Sequence, residues 1–569
     1  MPLLKFGPWT PDTADYENST VFNINNVIPR GDGYGPFPSL SIYTQALPAT
    51  CRGGFYALKS DGSVVTFAAT VDRLYQLNNT DFSWKNVSLP ANCTISNASP
   101  GVVTYANSFA ANDPVVFGAG GGVLPSQIVA GTTYYVSATS LSGSSFKVAT
   151  TPGGTPINTS GGSGTVTVTS IYSALSATAN WQFAQTGNLV FATQANVVLQ
   201  VFDLSSATAF AVAAGSPPQA AYISVVGRFL VLSGLLSNPY RIQWSGLNSF
   251  NASGSWTSGT NSSDFQDFPD GGIVRGVAGG DQSGIIFQDQ AIRRMSYVPG
   301  SPIIFQIDRL TQDKGLYAPY SIIRAGEKIF FYANQGLHKI EPGGAPEQIG
   351  RERVDRTFLV DLDKGNLQLL IGAADPRSSK VYWAYKSISG TTGLFDKVLG
   401  YDFVLDRFFP IQTGGEYLLG ISQTGLTLEN LDSISSSIDA LTLSLDSYAT
   451  AVQPQIAAFN SSHVLGFYAG TNLEATIQTA EQGTDGQKIT CRGFRVITDS
   501  ATVYGSTYYR DTQGASPTNG SEIAMSTRTG RVDFMRDARY QRFKVRIPAG
   551  TTWNFAAGVE PDISTSGML

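Results

Sequence analysis

Two histidines, three cysteines and a few clustered carboxylates are the groups in this 569-residue chain best suited to catalysis or metal binding. The densest acidic stretch is Asp264-Phe265-Gln266-Asp267-Phe268-Pro269-Asp270-Gly271-Gly272. Paired carboxylates can run glycoside hydrolysis, one as acid and one as base or nucleophile. The same stretch is also a good turn sequence, because Asp and Gly satisfy backbone groups in tight turns. The turn reading is the favoured one. Asp361-Leu362-Asp363-Lys364-Gly365 opens like a calcium loop but lacks the third acidic position and the closing Glu. His338 lies in an apolar, β-rich run and His463 in a polar loop. A zincin helix or a multi-histidine site is absent. A Ser-His-Asp triad would have to use one of these two histidines, and there is no GxSxG elbow. No GxxxxGK[ST] loop occurs, and the Gly clusters are not followed by a helical pattern. Cys51, Cys93 and Cys491 are scattered, with no CxxC, which argues against a disulfide framework or a structural zinc. The expectation is no catalytic, cofactor-binding or metal residue, no cofactor, and no enzymatic activity.

The elements that would hold such groups repeat. A turn residue, an apolar run, a short gap and a second run recur about six times. The copies are Asp61–Phe67 with Arg73–Tyr75, Gly187–Ala192 with Leu199–Phe202, and Gly227–Leu232 with Tyr240–Trp244. They continue as Gly284–Gln288 with Ala291–Met295, Gly326–Phe331 with Gly336–Ile340, and Ser379–Ala384 with Val398–Asp402. One hairpin cannot bury its own apolar face. Hairpins repeated every ~40–55 residues can stack radially, the signature of a β-propeller.

Composition agrees with an all-β chain rich in turns. Charged residues are 14% against about 25% in ordinary soluble domains, and glycines number 60. So little charge also suits a protein that covers its surface with neighbours. The net charge of −5, with no basic stripe, argues against sequence-reading of nucleic acid. No sustained apolar run suggests a secretory leader or a membrane span.

Five regions follow. Residues 1–45, rich in Pro, Gly and Asn, read as an extended arm laid over a scaffold, with Trp9, Tyr34 and Phe37 seeking burial. Residues 46–90 and 172–423 form a β-propeller of about six blades. Residues 91–171, where Lys147 is the only Lys or Arg, read as an inserted small β domain with strands near 115–117, 132–136, 145–149 and 164–168. Residues 424–465 carry Leu431-Asp432, Ile438-Asp439 and Leu445-Asp446 at heptad spacing among poor helix formers. They read as a strap, or as a linker packed on its own propeller. The strap reading makes Leu431, Ile438 and Leu445 possible subunit contacts. Residues 466–569 alternate apolar and polar and read as a C-terminal β-sandwich. Its basic stretch, Arg536, Arg539, Arg542, Lys544 and Arg546, is read as a solvated strand face.

Several stretches carry a resemblance. They are Phe6-Gly7-Pro8-Trp9-Thr10-Pro11-Asp12, Asn26-Val27-Ile28-Pro29, Gly33–Leu40 and Cys51-Arg52-Gly53. Later come Tyr240–Ser245, Asp264–Asp267, Ala291–Met295, Tyr382–Tyr385, the Leu/Ile-Asp strap and Ile547–Trp553. Together they resemble the tail nozzle (hub, or packaged-DNA stabilisation) proteins of short-tailed bacteriophages. The resemblance covers most of the chain outside 91–171, where Ala130–Val136 is similar to small β modules of phage fibres and other virion proteins. It implies a structural virion protein forming a hexameric ring that retains packaged DNA and conducts it at ejection. It also implies a portal-adaptor ring above, tail fibres or tailspikes alongside, double-stranded DNA passing without sequence recognition, and no stable membrane anchor. The alternative is a glycan-binding or glycan-cleaving propeller for receptor recognition, with aromatics such as Trp256 as sugar platforms.

Overall fold

The computed structural model describes residues 3–14, 20–301, 303–423, 437, 453–483 and 487–568. The chain is all-β, with many small antiparallel sheets. Among the described residues there is one α-helix, Asp355–Asp361, and no helix is long and apolar enough to cross a membrane.

Seven four-stranded sheets follow one another along the chain. Their first strands are Gly54–Leu58, Gln182–Thr186, Ala220–Val226, Val274–Ala278, Ile323–Ala325, Ile371–Ala374 and Tyr417–Gln423. The six hairpins expected from sequence are the second and third strands of the first six sheets. The seventh sheet pairs Tyr417–Gln423, Gln453–Phe459 and Val464–Asn472 with Pro38–Ala46 from the N-terminal region. Its central hairpin was hidden behind the Ser- and Asp-rich stretch before it, and its fourth strand comes from 418 to 434 residues earlier in the chain.

Apolar clusters lie between successive sheets. Phe67 and Trp181 join the first and second, Phe191 and Leu230 the second and third, and Phe229 and Ile286 the third and fourth. Phe287 and Phe331 join the fourth and fifth, and Phe459 and Tyr75 the seventh and first. Their alternation explains why the second strands read as continuous apolar runs: both faces are covered. Small residues let the first strands crowd together. A Cβ on Gly279 would stand 1.8 Å from the Val225 carbonyl oxygen, and one on Gly372 2.3 Å from Ile323 Cγ1. Gly279→Ala is expected to cost about 1–3 kcal/mol through forced separation of neighbouring strands. A thermal unfolding midpoint equal to wild type would show that the strands part without strain.

Three expected boundaries are corrected. The strap does not extend to 465, because Gln453–Phe459 and the start of Val464–Asn472 are strands of the seventh sheet. Leu431, Ile438 and Leu445 lie outside the described residues. The ends of that segment are neighbours, since Gln423 pairs with Gln453. The C-terminal pair of sheets starts at Ala475, not 466. The arm is not merely laid on a surface. Val27–Arg30 and Gly33–Pro36 join a sheet with Gln487–Thr498, Arg531–Ala538 and Ala556–Met568, whereas Val21–Asn25 joins Ala475–Thr479, Tyr540–Ile547 and Tyr504–Arg510. The backbone of an extended, Pro-containing segment needs partners, and sheet edges supply them.

The two C-terminal sheets face each other, with Phe494 of one 5.3 Å from Phe543 of the other. Their core is continuous with that of the sixth sheet through Phe37, Tyr382 and Tyr468. Asp12 pins the arm further. Its carboxylate accepts the Arg356 and Thr357 backbone N–H groups at 2.8 and 2.9 Å and the Thr357 hydroxyl at 2.7 Å. Those N–H groups open the α-helix, whose own N-cap, Val354, makes no side-chain cap. A carboxylate from 344 residues away thus caps the helix and favours its positive end.

Candidate functional site

The acidic stretch of the third and fourth sheets is occupied by cations. Asp267, on the outer strand Asp264–Asp267, takes Arg241 through two bonds of 2.6 and 2.9 Å. That hydrogen bonding holds the Asp267 carboxyl below its ordinary range. Arg241 also lies over Phe265 at 3.6 Å. Asp270 pairs with Arg293 at 2.6 Å and with Arg309. Asp264 accepts the Ser258 hydroxyl at 2.6 Å and its neighbouring backbone N–H. Each carboxylate therefore already has a partner, although Asp264–Asp267 is a strand and not the expected turn.

The other candidates are also held in place. Asp363 accepts from Lys386 at 2.8 Å, from Asn366 and from Gly365 N–H, which draw its carboxyl down to about 2. Asp361 pairs with Lys397 and accepts the Tyr385 hydroxyl. His338 is fully buried, stacks on Phe331, and bonds the Gly336 carbonyl through Nδ1 at 2.9 Å; burial lowers its pKa. Trp256 is buried in the cluster between the second and third sheets, so it offers no sugar platform. Cys51, Cys93 and Cys491 are free and buried. Burial pushes Cys93 up to about 12 and Cys491 up to about 11, which keeps both as poor nucleophiles. Among the described residues no three His, Cys, Asp or Glu side chains are grouped to hold a metal.

The basic C-terminal stretch is no free cationic stripe. Arg542 is buried over Phe22 and 3.9 Å from Glu481, Arg546 pairs with Glu522 and Glu474, and Arg536 lies over Tyr509. This corrects the solvated-face expectation for Arg542: it shares a strand face with Lys544 and Arg546, but Phe22 and Glu481 cover that face at its position.

What the structure brings together is a cavity of about 500 Å³ lined by the first strands of the sheets. Its walls include Phe55 stacked on Phe183 at 5.8 Å, with Gln182, Tyr222 and Tyr320. Among the described residues, Arg324 is the only charged one lining it, tethered by Gly279 and Gly326 carbonyls at 2.8 and 2.9 Å. Near the start of the first strands, Arg52 bonds Asn180 Oδ1 at 3.1 Å. Asn180 donates to the Tyr320 hydroxyl and, through its side chain, to the Gln368 carbonyl, each at 2.8 Å. Burial raises the Tyr320 hydroxyl to about 12. Aromatic and amide walls with one cation suit binding of a small neutral or singly anionic molecule, and offer no acid–base pair. These residues escape a motif search because they are spread over several sheets and the turn Pro319–Ser321; the signal they leave is the short Gly- and Ala-containing run ahead of each hairpin.

No protein family's profile matches the chain, and no curated protein matches it. Solved structures match weakly. Hsv2 of Kluyvelomyces marxianus aligns at TM-score 0.25 and 9% identity, over 64% of this chain and 98% of that one. The computationally designed Ika8 protein aligns at TM-score 0.31 and 9% identity, over 76% and 99%. An apocarotenoid oxygenase variant from Synechocystis aligns at TM-score 0.26 and 9% identity, over 65% and 96%. Likeness at this level says nothing about what this chain does.

Proposed function

We propose that this chain is a structural virion protein, the tail nozzle of a short-tailed bacteriophage, built on a seven-bladed propeller closed by its N-terminal arm. In this reading about six copies form a ring that retains packaged DNA and conducts it into the host, beneath a portal-adaptor ring and beside tail fibres or tailspikes. It works without enzymatic activity.

One observation carries the reading. The residues behind the resemblance hold segments of this chain to one another. Asp12 caps a distant helix, Arg52 braces the Asn180 network, Arg241 locks Asp267, and Arg293 locks Asp270. A protein whose distinctive polar residues are structural ties suits a load-bearing wall. The glycan-binding alternative keeps one supporting feature, the central cavity, whereas its cleaving form lacks a free carboxylate pair in the acidic stretch.

Native mass spectrometry and negative-stain imaging test the proposal. Rings of about six chains around a channel are expected. A monomer that binds or cleaves surface polysaccharide overturns it. Replacing Leu431, Ile438 and Leu445 together with Asp is expected to abolish the ring; an unchanged ring removes the strap from the account.

A further inference from the structure

Residues 91–171 contain two charged side chains, Asp113 and Lys147, and neither is exposed. Every exposed residue of this module is uncharged, mostly Ser, Thr, Gly, Ala and Asn. Soluble domains normally carry mixed charge on their surfaces, and charge-free surfaces promote association. The cores of protein interfaces are likewise depleted of charge.

The module is also rigidly mounted. Arg73 of the first sheet reaches Asp113 at 2.6 Å, with both side chains largely buried, and lies over Phe109. Asn86 donates to the Pro114 carbonyl at 3.1 Å, and the Leu89 N–H donates to the Tyr172 hydroxyl at 2.8 Å. Beyond the far end of the strand Pro114–Gly118 runs the loop 119–131, with Val123 57% and Val129 61% exposed. Val123 and Ser163 exchange two backbone bonds of 2.8 and 3.0 Å, and Ser126 N–H and Gln127 bind Ser160. The loop is thus held in one shape despite its glycines, which lowers the ordering cost of any contact. Lys85 is the charge beside it, its Nζ 3.7 Å from where a Cβ on Gly131 would stand.

Charge selects the partner. A nucleic acid or an acidic membrane finds no exposed cation on the module. Two copies of this chain, each of net charge −5, repel wherever their charged surfaces face each other. They meet without that cost through a charge-free face, and in a closed ring the two contacting faces differ. All exposed faces of this module meet the condition. We propose that the module packs against the same module of a neighbouring copy, with Val123 and Val129 at the contact. The proposal rests on the ring reading above.

The test is sedimentation velocity of the full-length chain across a concentration series, comparing wild type with Val123→Lys/Val129→Lys. Val360→Lys, at a valine 69% exposed outside the module, is the control. Both substitution sites are exposed, so folding should be little affected. The double variant is expected to need at least about tenfold higher concentration to assemble, because two unpaired charges would be desolvated at the contact. The control is expected to match wild type. A wild-type ring that the two lysines leave unchanged, or that the control weakens equally, overturns this inference alone. A wild-type chain that stays monomeric overturns the ring reading and this inference with it.

Discussion

Replacing Glu416 with Ala is expected to lower the stability of the packed sheets by about 1–3 kcal/mol, the cost of leaving a buried donor unsatisfied. Glu416 is 3% exposed and precedes the first strand of the seventh sheet. One carboxylate oxygen lies 2.5 Å from His463 Nδ1, and the other accepts the Cys51 N–H at 2.8 Å. The His463 carbonyl in turn accepts the Leu47 N–H at 2.9 Å. The carboxylate therefore joins the segment that follows the N-terminal strand to the hairpin that the strand completes. Glu416→Gln keeps an acceptor for Cys51 and should cost less than Glu416→Ala.

The pair also sets a pH dependence. Burial raises the Glu416 carboxyl above its ordinary range, with the Cys51 N–H and His463 pulling the other way. A raised carboxyl favours the protonated form in the folded chain. Stability of wild type relative to Glu416→Gln is then greatest below the ordinary carboxylate range, and it declines as pH rises through the raised value. Denaturant titrations from about pH 4 to pH 8 read this difference, and a flat difference sinks the assignment.

Arg73→Ala is expected to loosen the inserted module by ~3–5 kcal/mol, because Asp113 would be left largely buried and unpaired. Burial opposes the Arg73 charge, but the hydrogen bond to Asp113 together with the nearby Tyr75, Asp113 and Asp72 outweighs it, so the guanidinium is held more firmly protonated than usual. The effect should be local. Hydrogen exchange and limited proteolysis are expected to rise across 91–169 while the strands of the four-stranded sheets stay protected. Replacing both partners by apolar residues of similar size, Arg73→Met with Asp113→Leu, should recover much of the loss. Uniform loss of protection across those sheets would show instead that the module is part of one cooperative unit with them.

Six of the seven central hairpins were legible because each is a local pattern of turn residue and alternating apolar run. Gln453–Phe459 with Val464–Leu465 was not, because it follows a Ser- and Asp-rich stretch that drew the boundary too late. The charge poverty of 91–171 was plain from composition, and so was the shortage of catalytic groups. Whether Asp264, Asp267 and Asp270 were free was not legible. Asp267 and Asp270 find Arg241, Arg293 and Arg309 23 to 39 residues away, and pairing depends on strand register.

The sequence by itself determined an all-β chain of repeated hairpins, an uncharged insert and an N-terminal region too aromatic to stay in solvent, because these follow from neighbours along the chain. The tertiary structure alone decided that Pro38–Ala46 completes the seventh sheet, that Asp12 caps a helix 344 residues away, and that Glu416 joins Cys51 to His463. Hydrogen bonds and ion pairs need only closeness in space, and closeness between such distant residues exists only once the sheets have packed.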